Sequence, residues 1–205
     1  MKQKSNSIST LILGAGKSER MNGYPKPLIK YKNKFFAEII YENLIKLQIK
    51  KIVFVAGYKY ELLKKYLDNL ANLKIIENPN FENGQLSSLK CGLKYIIENF
   101  DTQYIMIILC DTPFIKLKTY RKLINEIEKD KIIIPSLNRK AGHPVIINNY
   151  IAEQIINAAP QFRTAKEILN TYKEKIKYVD VNDEFILKDF DYPNDLNLTT
   201  DFSFI

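Results

Sequence analysis

Several residue types are scarce in this 205-residue chain, and each scarcity excludes a class of protein. The two cysteines, Cys91 and Cys110, belong to no CxxC or Cys/His cluster, so we do not expect a structural zinc site. Two lone thiols are typical of a reducing compartment. The single histidine, His143, has no carboxylate or serine neighbour that would indicate a catalytic triad.

Long apolar runs and dense basic runs are also missing. No stretch approaches the roughly 18 apolar residues that a membrane-spanning helix needs, and no apolar segment of signal-peptide type follows the polar N-terminus. We therefore expect a soluble, cytoplasmic protein without membrane contacts. The formal net charge is +8, but the lysines are spread along the chain and no nucleic-acid-binding motif occurs, so we expect no nucleic-acid partner. A smaller polyanion, such as a nucleotide, remains compatible with this charge.

Apolar runs of strand length alternate with segments of helical periodicity along most of the chain. Predicted strands cover residues 8–13, 51–56, 73–76, 104–109, 131–134 (ending at Pro135), 143–147 and 178–181. Predicted helices cover residues 36–47, 60–70, 85–99, 117–127, 150–158 and 164–172. Such alternation predicts an α/β fold with a mainly parallel sheet. After Pro135 the rhythm changes to an α+β addition on the same sheet, and we expect one domain over residues 1–205.

A glycine-rich loop directly follows the first predicted strand. Glycines at this place let the backbone approach a phosphate and direct N–H groups toward it. The P-loop pattern fails because its first glycine would fall at Leu11, inside the strand, and the dinucleotide-binding pattern fails because Glu19 replaces its third glycine. The remaining pattern, GxGxxxR followed by Pro-Lys, places Arg20 and Lys26 beside the loop, and two such cations suit a triphosphate.

Several motifs together resemble one family. They are Leu13-Gly-Ala-Gly-Lys-Ser-Glu-Arg-Met21, Pro25-Lys-Pro-Leu28, Asn78-Pro79 with Glu82-Asn-Gly-Gln-Leu-Ser-Ser-Leu-Lys-Cys-Gly-Leu93, Cys110-Asp-Thr-Pro-Phe114, Gly142-His-Pro-Val145 and Asp189-Phe-Asp-Tyr-Pro-Asn-Asp-Leu196. In this order they resemble the MobA/MocA-like nucleotidyltransferases, which attach CMP or GMP to the molybdenum cofactor. The resemblance implies a Rossmann-like nucleotide-diphospho-sugar transferase fold, with a mixed, mainly parallel sheet flanked by helices.

The resemblance also implies roles for individual residues. Implied catalytic residues are Lys26, Arg20 and Asp111. Implied nucleotide-binding residues are Leu13, Gly14, Ala15, Gly16, Lys17, Ser18, Arg20, Lys26, Ser87 and Ser88. Asp111 follows the most apolar strand, where a carboxylate suits Mg²⁺, and the C-terminal motif implies Asp191, rather than Asp189, as the second ligand. From the residues alone, Ser87 and Ser88 either contact the base or ribose or cap the helix that they open.

The acceptor side rests on fewer motifs. Gly142, His143 and Pro144 are predicted to line an acceptor pocket, although Pro144 also fits a stiff entry into a strand. Lys166 stands where the family has an arginine, and the resemblance implies that it contacts an acceptor phosphate, although Gln161–Lys166 lacks the glycine and aspartate of the family pattern.

We therefore predict a nucleotidyltransferase that uses CTP in preference to GTP and a molybdopterin-type acceptor, with a molybdoenzyme or its chaperone as a possible protein partner. The alternatives are a sugar phosphate or phosphocholine-like acceptor, or a non-catalytic nucleotide-binding accessory protein.

Overall fold

The computed structural model describes residues 6–191, 195 and 202–203. The strands are β1 Ile8–Leu13, β2 Lys30–Tyr31, β3 Lys34–Phe35, β4 Lys51–Ala56, β5 Leu73–Glu77, β6 Tyr104–Leu109, β7 Ile132–Leu137, β8 Lys140–Ala141, β9 Val145–Asn148, β10 Ile176–Asp180 and β11 Phe202–Ser203. The α-helices are α1 Phe36–Lys46, α2 Tyr60–Leu67, α3 Gln85–Asn99, α4 Leu117–Asn125, α5 Asn149–Ile156 and α6 Ala165–Asn170. Short 3₁₀ turns are Glu19–Met21, Lys26–Leu28, Phe81–Asn83, Lys173–Lys175 and Glu184–Ile186. In the part of the chain so described, no helix is both long and apolar enough to cross a membrane.

The main sheet is mixed and mostly parallel, which confirms the predicted α/β class. Its strand order is β10-β7-β9-β6-β1-β4-β5, with β8 paired to β7 beside this path. The pairs β1–β4, β1–β6, β4–β5 and β7–β10 are parallel, whereas β9 runs antiparallel to both β6 and β7. A smaller antiparallel sheet has the order β11-β2-β3.

Both faces of the main sheet are buried, because helices cover each of them. Every residue of β1 is buried, and its side chains alternate between two hydrophobic clusters: Ile8 and Ile12 enter one, Leu11 and Leu13 the other. Helices α1, α2 and α4 contribute to the first cluster, and α3, α5 and α6 to the second. Continuous apolar runs such as β6 are therefore explained by burial on two sides.

The reversed strand β9 brings a late segment of the chain to the carboxyl edge of the sheet. Val145, the first residue of β9, pairs with Ile107 near the end of β6. The residues that precede Val145 therefore lie beside the ends of β6 and β1. In open α/β sheets this edge is where ligands bind.

Predicted element boundaries differ from the observed ones most clearly at Pro135. The strand was expected to end there, but β7 continues to Leu137. The Pro135 carbonyl accepts from the Gly142 N–H at 2.9 Å, on the side of β7 that faces β9. Pairing of β7 with β9 is confined to Ile133 and Ile146, so this ladder needs no N–H at position 135 and proline is tolerated. Other ends move by one to three residues, as when β10 begins at Ile176 rather than Tyr178.

Candidate active site

The glycine-rich loop lies between β1 and β4. The Gly14 N–H donates to the Val55 carbonyl at 3.0 Å, and the Ala15 carbonyl accepts from the Tyr58 N–H at 3.1 Å. A Cβ at Gly14 would lie 2.2 Å from the Phe54 ring, whereas a Cβ at Gly16 would meet nothing within 4 Å. Packing within the protein therefore requires glycine at position 14, but at position 16 the space in front of the backbone is open.

Ser18 folds the loop back toward Lys26. Its backbone has a positive φ of 53°, and its carbonyl accepts from the Met21 N–H at 2.8 Å and the Gly23 N–H at 3.1 Å. The Lys26 N–H donates to Ser18 Oγ at 3.4 Å. This turn brings two predicted cationic residues, Arg20 and Lys26, to the same side of the loop.

Lys26 connects two carboxylates that are far apart in sequence. Lys26 Nζ donates to Asp111 Oδ2 at 3.1 Å and also contacts Asp191 Oδ1. Arg20 donates to the other oxygen of Asp191 at 2.8 Å. Lys26 and Asp111 are partly buried, with side chains 15% and 19% exposed, whereas the Arg20 side chain is 62% exposed. The four side chains predicted for catalysis and metal binding therefore form one connected group.

This arrangement shifts the pKa values of the group. Burial lowers the pKa of Lys26, but the carboxylates of Asp111 and Asp191 outweigh burial, and the pKa lies above its ordinary value. The hydrogen bond from Lys26 holds the pKa of Asp191 below its ordinary value. Burial and the two neighbouring carboxylates raise the pKa of Asp189. Lys26 is therefore a permanent cation, and Asp191 is ionised at neutral pH.

Asp191 is held in place by backbone contacts and aromatic packing. The Phe190 N–H donates to the Asp111 carbonyl at 3.1 Å, and the Asp191 N–H donates to Asp195 Oδ2 at 2.9 Å. The Phe190 ring packs edge-on against Phe114, with ring centroids 5.1 Å apart. The next positions of this motif, 192–194, lie outside the described residues.

The two carboxylates fit a divalent cation. Asp111 Oδ1 is buried and has no hydrogen-bond partner in the described structure, so one carboxylate oxygen is left for another ligand. Within the described ranges, no group of three or more His, Cys, Asp or Glu side chains is arranged to hold a metal ion. Mg²⁺ commonly takes only one or two carboxylates and completes its shell with water and phosphate oxygens.

Lys17, predicted to bind nucleotide, forms an ion pair with Glu82 at 2.6 Å. Glu82 lies in the 3₁₀ turn Phe81–Asn83 and lines one cavity of this region together with Lys17. The pKa of Lys17 is raised by this hydrogen bond. Glu82 belonged to a predicted motif but had no predicted role, because nothing in its sequence position indicates its partner.

Ser87 and Ser88 do not cap helix α3. The N-cap of α3 is Gly84, which has no side-chain cap and a positive φ of 90°. Instead, both hydroxyl oxygens accept hydrogen bonds from the Asn78 amide, at 2.9 Å and 3.0 Å. Ser88 faces a cavity beside the glycine-rich loop, whereas Ser87 does not line it. Asn78 lay in a quoted motif, but the sequence offered no signal for its side-chain contacts.

Three cavities lie in a row along the carboxyl edge of the sheet. Their volumes are about 430, 280 and 300 Å³. The first and second share the residues Gly16, Ser18, Lys26 and Phe81. The second and third share Leu13, Gln85 and Leu109. Because adjoining cavities share walls, a ligand in the first two cavities would lie next to a ligand in the third. Lys26 and Asp111 line the second cavity, which lies between the other two.

Gly142, His143 and Lys166, three of the residues predicted to bind the acceptor, line the third cavity, whereas the fourth, Pro144, is buried and is not among its lining residues. A cis peptide joins His143 to Pro144. The His143 N–H donates to the Ile186 carbonyl at 3.0 Å. Burial lowers the pKa of the His143 imidazole, although Asp111 opposes this shift, so the ring is neutral at pH 7.

Fold and site together define a nucleotidyltransferase. The family model for the MobA-like NTP transferase domain matches residues 10–176, and the chain belongs to this family.

Similar proteins agree with this assignment. The chain is 27% identical over 192 residues to the molybdenum cofactor cytidylyltransferase of Escherichia coli K12, covering 93% of this chain and 94% of that protein. It is also 27% identical over 169 residues to a Clostridium perfringens SM101 protein named "probable molybdenum cofactor guanylyltransferase", covering 82% of this chain and 75% of that protein. Among solved structures, Rv0371c from Mycobacterium tuberculosis has a TM-score of 0.78 at 17% identity, over 93% of this chain and 96% of that one, which shows the shared fold.

Proposed function

We propose that the protein transfers CMP, in preference to GMP, from a nucleoside triphosphate to the phosphate of a molybdopterin-type acceptor and releases pyrophosphate. The observation that carries this proposal is the position of Lys26 and Asp111 where the open phosphate loop and the neighbouring cavities meet. Similarity to a cytidylyltransferase over nearly the whole of both chains supports the donor and the acceptor class.

The triphosphate is proposed to lie along the glycine-rich loop. The open space at Gly16 admits a phosphate close to the backbone, and Arg20, which is largely exposed, can bind the departing pyrophosphate. Lys26 is already charged and partly buried, so its cation can stabilise charge that develops on the α-phosphate. Asp111 and Asp191 are the proposed ligands of Mg²⁺, which when bound would neutralise phosphate charge and orient the triphosphate.

The proposed chemical step needs no protein base. An anionic oxygen of the acceptor phosphate attacks the α-phosphorus and forms a new P–O bond, while the bond to the bridging oxygen of the β-phosphate breaks. The electron pair leaves with pyrophosphate. A neutral His143 is consistent with this scheme, because the acceptor phosphate needs no proton removed. Catalysis then comes from positioning and electrostatics.

The third cavity supports a flat heterocyclic acceptor more than a polyhydroxylated sugar phosphate. Most of its walls are aliphatic, and Leu89, Ile107 and Val145 are examples. Lys166 is the one charged residue among its lining residues, and it can bind one phosphate. A flat ring can pack its apolar faces on these walls while its polar edge reaches side chains such as Gln85, Thr164 and Asn170. A sugar carries hydroxyl groups on all sides and would bury some of them against aliphatic walls, which costs free energy.

The test has two stages. Thermal stabilisation by CTP, GTP, UTP and ATP with Mg²⁺ identifies the donor, and CTP should give the largest shift in Tm. Pyrophosphate release is then measured with CTP against molybdopterin, sugar 1-phosphates and phosphocholine. Release with molybdopterin alone supports the proposal, whereas release only with a sugar phosphate or phosphocholine overturns the acceptor assignment. Nucleotide binding without turnover on any acceptor would indicate an accessory protein instead.

A further inference from the structure

Asn78 is a buried polar residue at the carboxyl end of β5. Its side chain lies beneath the start of α3, and only 3% of the residue is exposed. The Asn78 N–H donates to the Ala56 carbonyl at 2.8 Å, which extends the pairing of β5 with β4 by one residue. Asn78 is therefore fixed to the sheet rather than to a free loop.

The hydrogen bonds of the Asn78 amide determine its orientation. Its Oδ1 accepts from the Asn80 N–H at 3.1 Å. Its Nδ2 donates to Ser87 Oγ at 2.9 Å and to Ser88 Oγ at 3.0 Å. The reversed orientation would place the amide hydrogens against the Asn80 N–H, which is also a donor, and would leave that contact unsatisfied. Both serine oxygens therefore act as acceptors toward Asn78.

The hydroxyl groups of Ser87 and Ser88 differ in whether they donate a hydrogen bond within the protein. Ser87 donates to the Asn80 carbonyl at 2.9 Å, so its hydroxyl group both accepts and donates a hydrogen bond within the protein. Ser88 accepts from Asn78, and no acceptor for its hydrogen is found among the hydrogen bonds of the described residues. Ser88 also lines the second cavity with Gly14, Gly16 and Asp111. Its hydrogen is thus available to a ligand in that cavity.

We propose that Asn78 is a positioning residue that makes Ser88 a hydrogen-bond donor toward the nucleotide base. The inference rests on the proposed function, because a triphosphate held along the glycine-rich loop would place its base in the second cavity, which Ser88 lines. The site would then prefer a base that presents an acceptor at the atom facing Ser88. Cytosine and uracil differ in this way at N3, because N3 of cytosine accepts a hydrogen bond and N3 of uracil donates one. Ser88 therefore favours CTP over UTP.

We expect Asn78→Asp to change Ser88 from a hydrogen-bond donor into an acceptor toward the base. Its carboxylate can still accept from the Asn80 N–H, but it must also accept from the serine hydroxyls instead of donating to them. Ser88 would then present a lone pair to the base. We expect the ratio of CTP to UTP affinity to fall on the order of tenfold, the effect of one hydrogen bond gained or lost.

Titration calorimetry with the full-length protein, Mg²⁺ and either CTP or UTP measures this ratio without turnover. Ser88→Ala should lower the ratio by a similar factor, and Asn78→Asp should lower it no further in the Ser88→Ala background. Cys91→Ala is the matched control, because Cys91 lies one turn further along α3 and is not among the residues that line the second cavity, and it should leave the ratio unchanged. A general loss of structure would weaken both nucleotides alike and would not move the ratio.

Each outcome decides the inference. A ratio that persists in Ser88→Ala overturns it, even where Asn78→Asp fails to fold. A ratio that falls in Ser88→Ala but persists in folded Asn78→Asp also overturns it, because Ser88 would then act without Asn78. If Asn78→Asp does not fold, Asn78→Ala replaces it, because alanine also removes the amide donor, and the ratio must then fall. Equal binding of CTP and UTP by the wild-type protein would overturn the proposed donor as well, so the two failures are distinguishable.

Discussion

Lys26 Nζ lies 3.1 Å from Asp111 Oδ2 and also contacts Asp191, so one ammonium group joins carboxylates that stand 85 and 165 residues away in the chain. Lys26 occupies the space between the proposed metal ligands. Binding of Mg²⁺ with a triphosphate would replace these contacts with contacts to phosphate oxygens. Under the proposed function, the ammonium group that now pairs with these carboxylates would contact the α-phosphate.

Replacing Lys26 by Met should remove most of the catalytic rate. The variant keeps the length of the side chain but loses the cation, and kcat should fall on the order of 10²–10³, the cost of removing one interaction that stabilises transition-state charge. Steady-state pyrophosphate release measures this effect. Lys46→Met is the control, because Lys46 is exposed at the end of α1 and should leave kcat unchanged. A Lys26→Met enzyme within threefold of wild type would remove Lys26 from the mechanism.

The two loop glycines should respond differently to alanine. Gly14→Ala forces a Cβ into the Phe54 ring and should lower Tm and the free energy of unfolding, by about 1–3 kcal/mol for an overpacked core. Gly16→Ala meets nothing in the protein, so Tm should stay unchanged while CTP binding weakens on the order of tenfold or more. Thermal melting and calorimetry separate the two effects. Unchanged CTP affinity in Gly16→Ala would show that the triphosphate does not approach this backbone.

Asp111→Asn should weaken binding of a divalent cation. The change keeps the size of the side chain but removes its charge, and the buried Oδ1 loses its value as a hard, anionic ligand. Electron paramagnetic resonance of Mn²⁺, added with a non-hydrolysable CTP analogue, reports the bound fraction. Asp130→Asn, at an exposed position just before β7, is the matched control. Equal Mn²⁺ affinity in both variants would contradict the assignment of Asp111 as a ligand.

His143 should make the folded protein sensitive to mild acid. Burial lowers its pKa below the ordinary value of 6.5, so the unfolded chain binds the proton more readily than the folded one. The contribution of the neutral His143 to stability is therefore fully present above pH 6.5. It is lost as the pH falls toward the lower pKa of the folded state. His143→Gln should show a smaller drop in Tm than wild type between about pH 7.5 and about pH 5.5. Parallel Tm profiles for the two proteins would show that the imidazole does not stay neutral.

Periodicity alone predicted the fold class, because strands buried on both faces and amphipathic helices leave strong patterns. The strands β1, β4 and β6 were predicted with their observed bounds. Pro135 was misread because its strand bonds depend on Gly142, a contact that no local pattern indicates.

Only part of the candidate site is predictable from the sequence. Arg20 and Lys26 could be predicted from their spacing after the glycine-rich loop. Asp191 was expected only through the family resemblance, since its position depends on Phe190 packing against Phe114. Asn78 and Glu82 were missed as functional candidates because their roles lie in hydrogen bonds and ion pairs with residues brought together by the tertiary fold.

Nucleotidyl transfer at Lys26 and Asp111 can be followed with CTP labelled at the α-phosphorus. Wild-type protein, Mg²⁺ and molybdopterin should move the label onto the acceptor phosphate and release pyrophosphate in equal amount, and Asp111→Asn should lower both rates together. Label recovered as free CMP would contradict transfer to an acceptor. Transfer that continues at the wild-type rate in Asp111→Asn would contradict the role of Asp111.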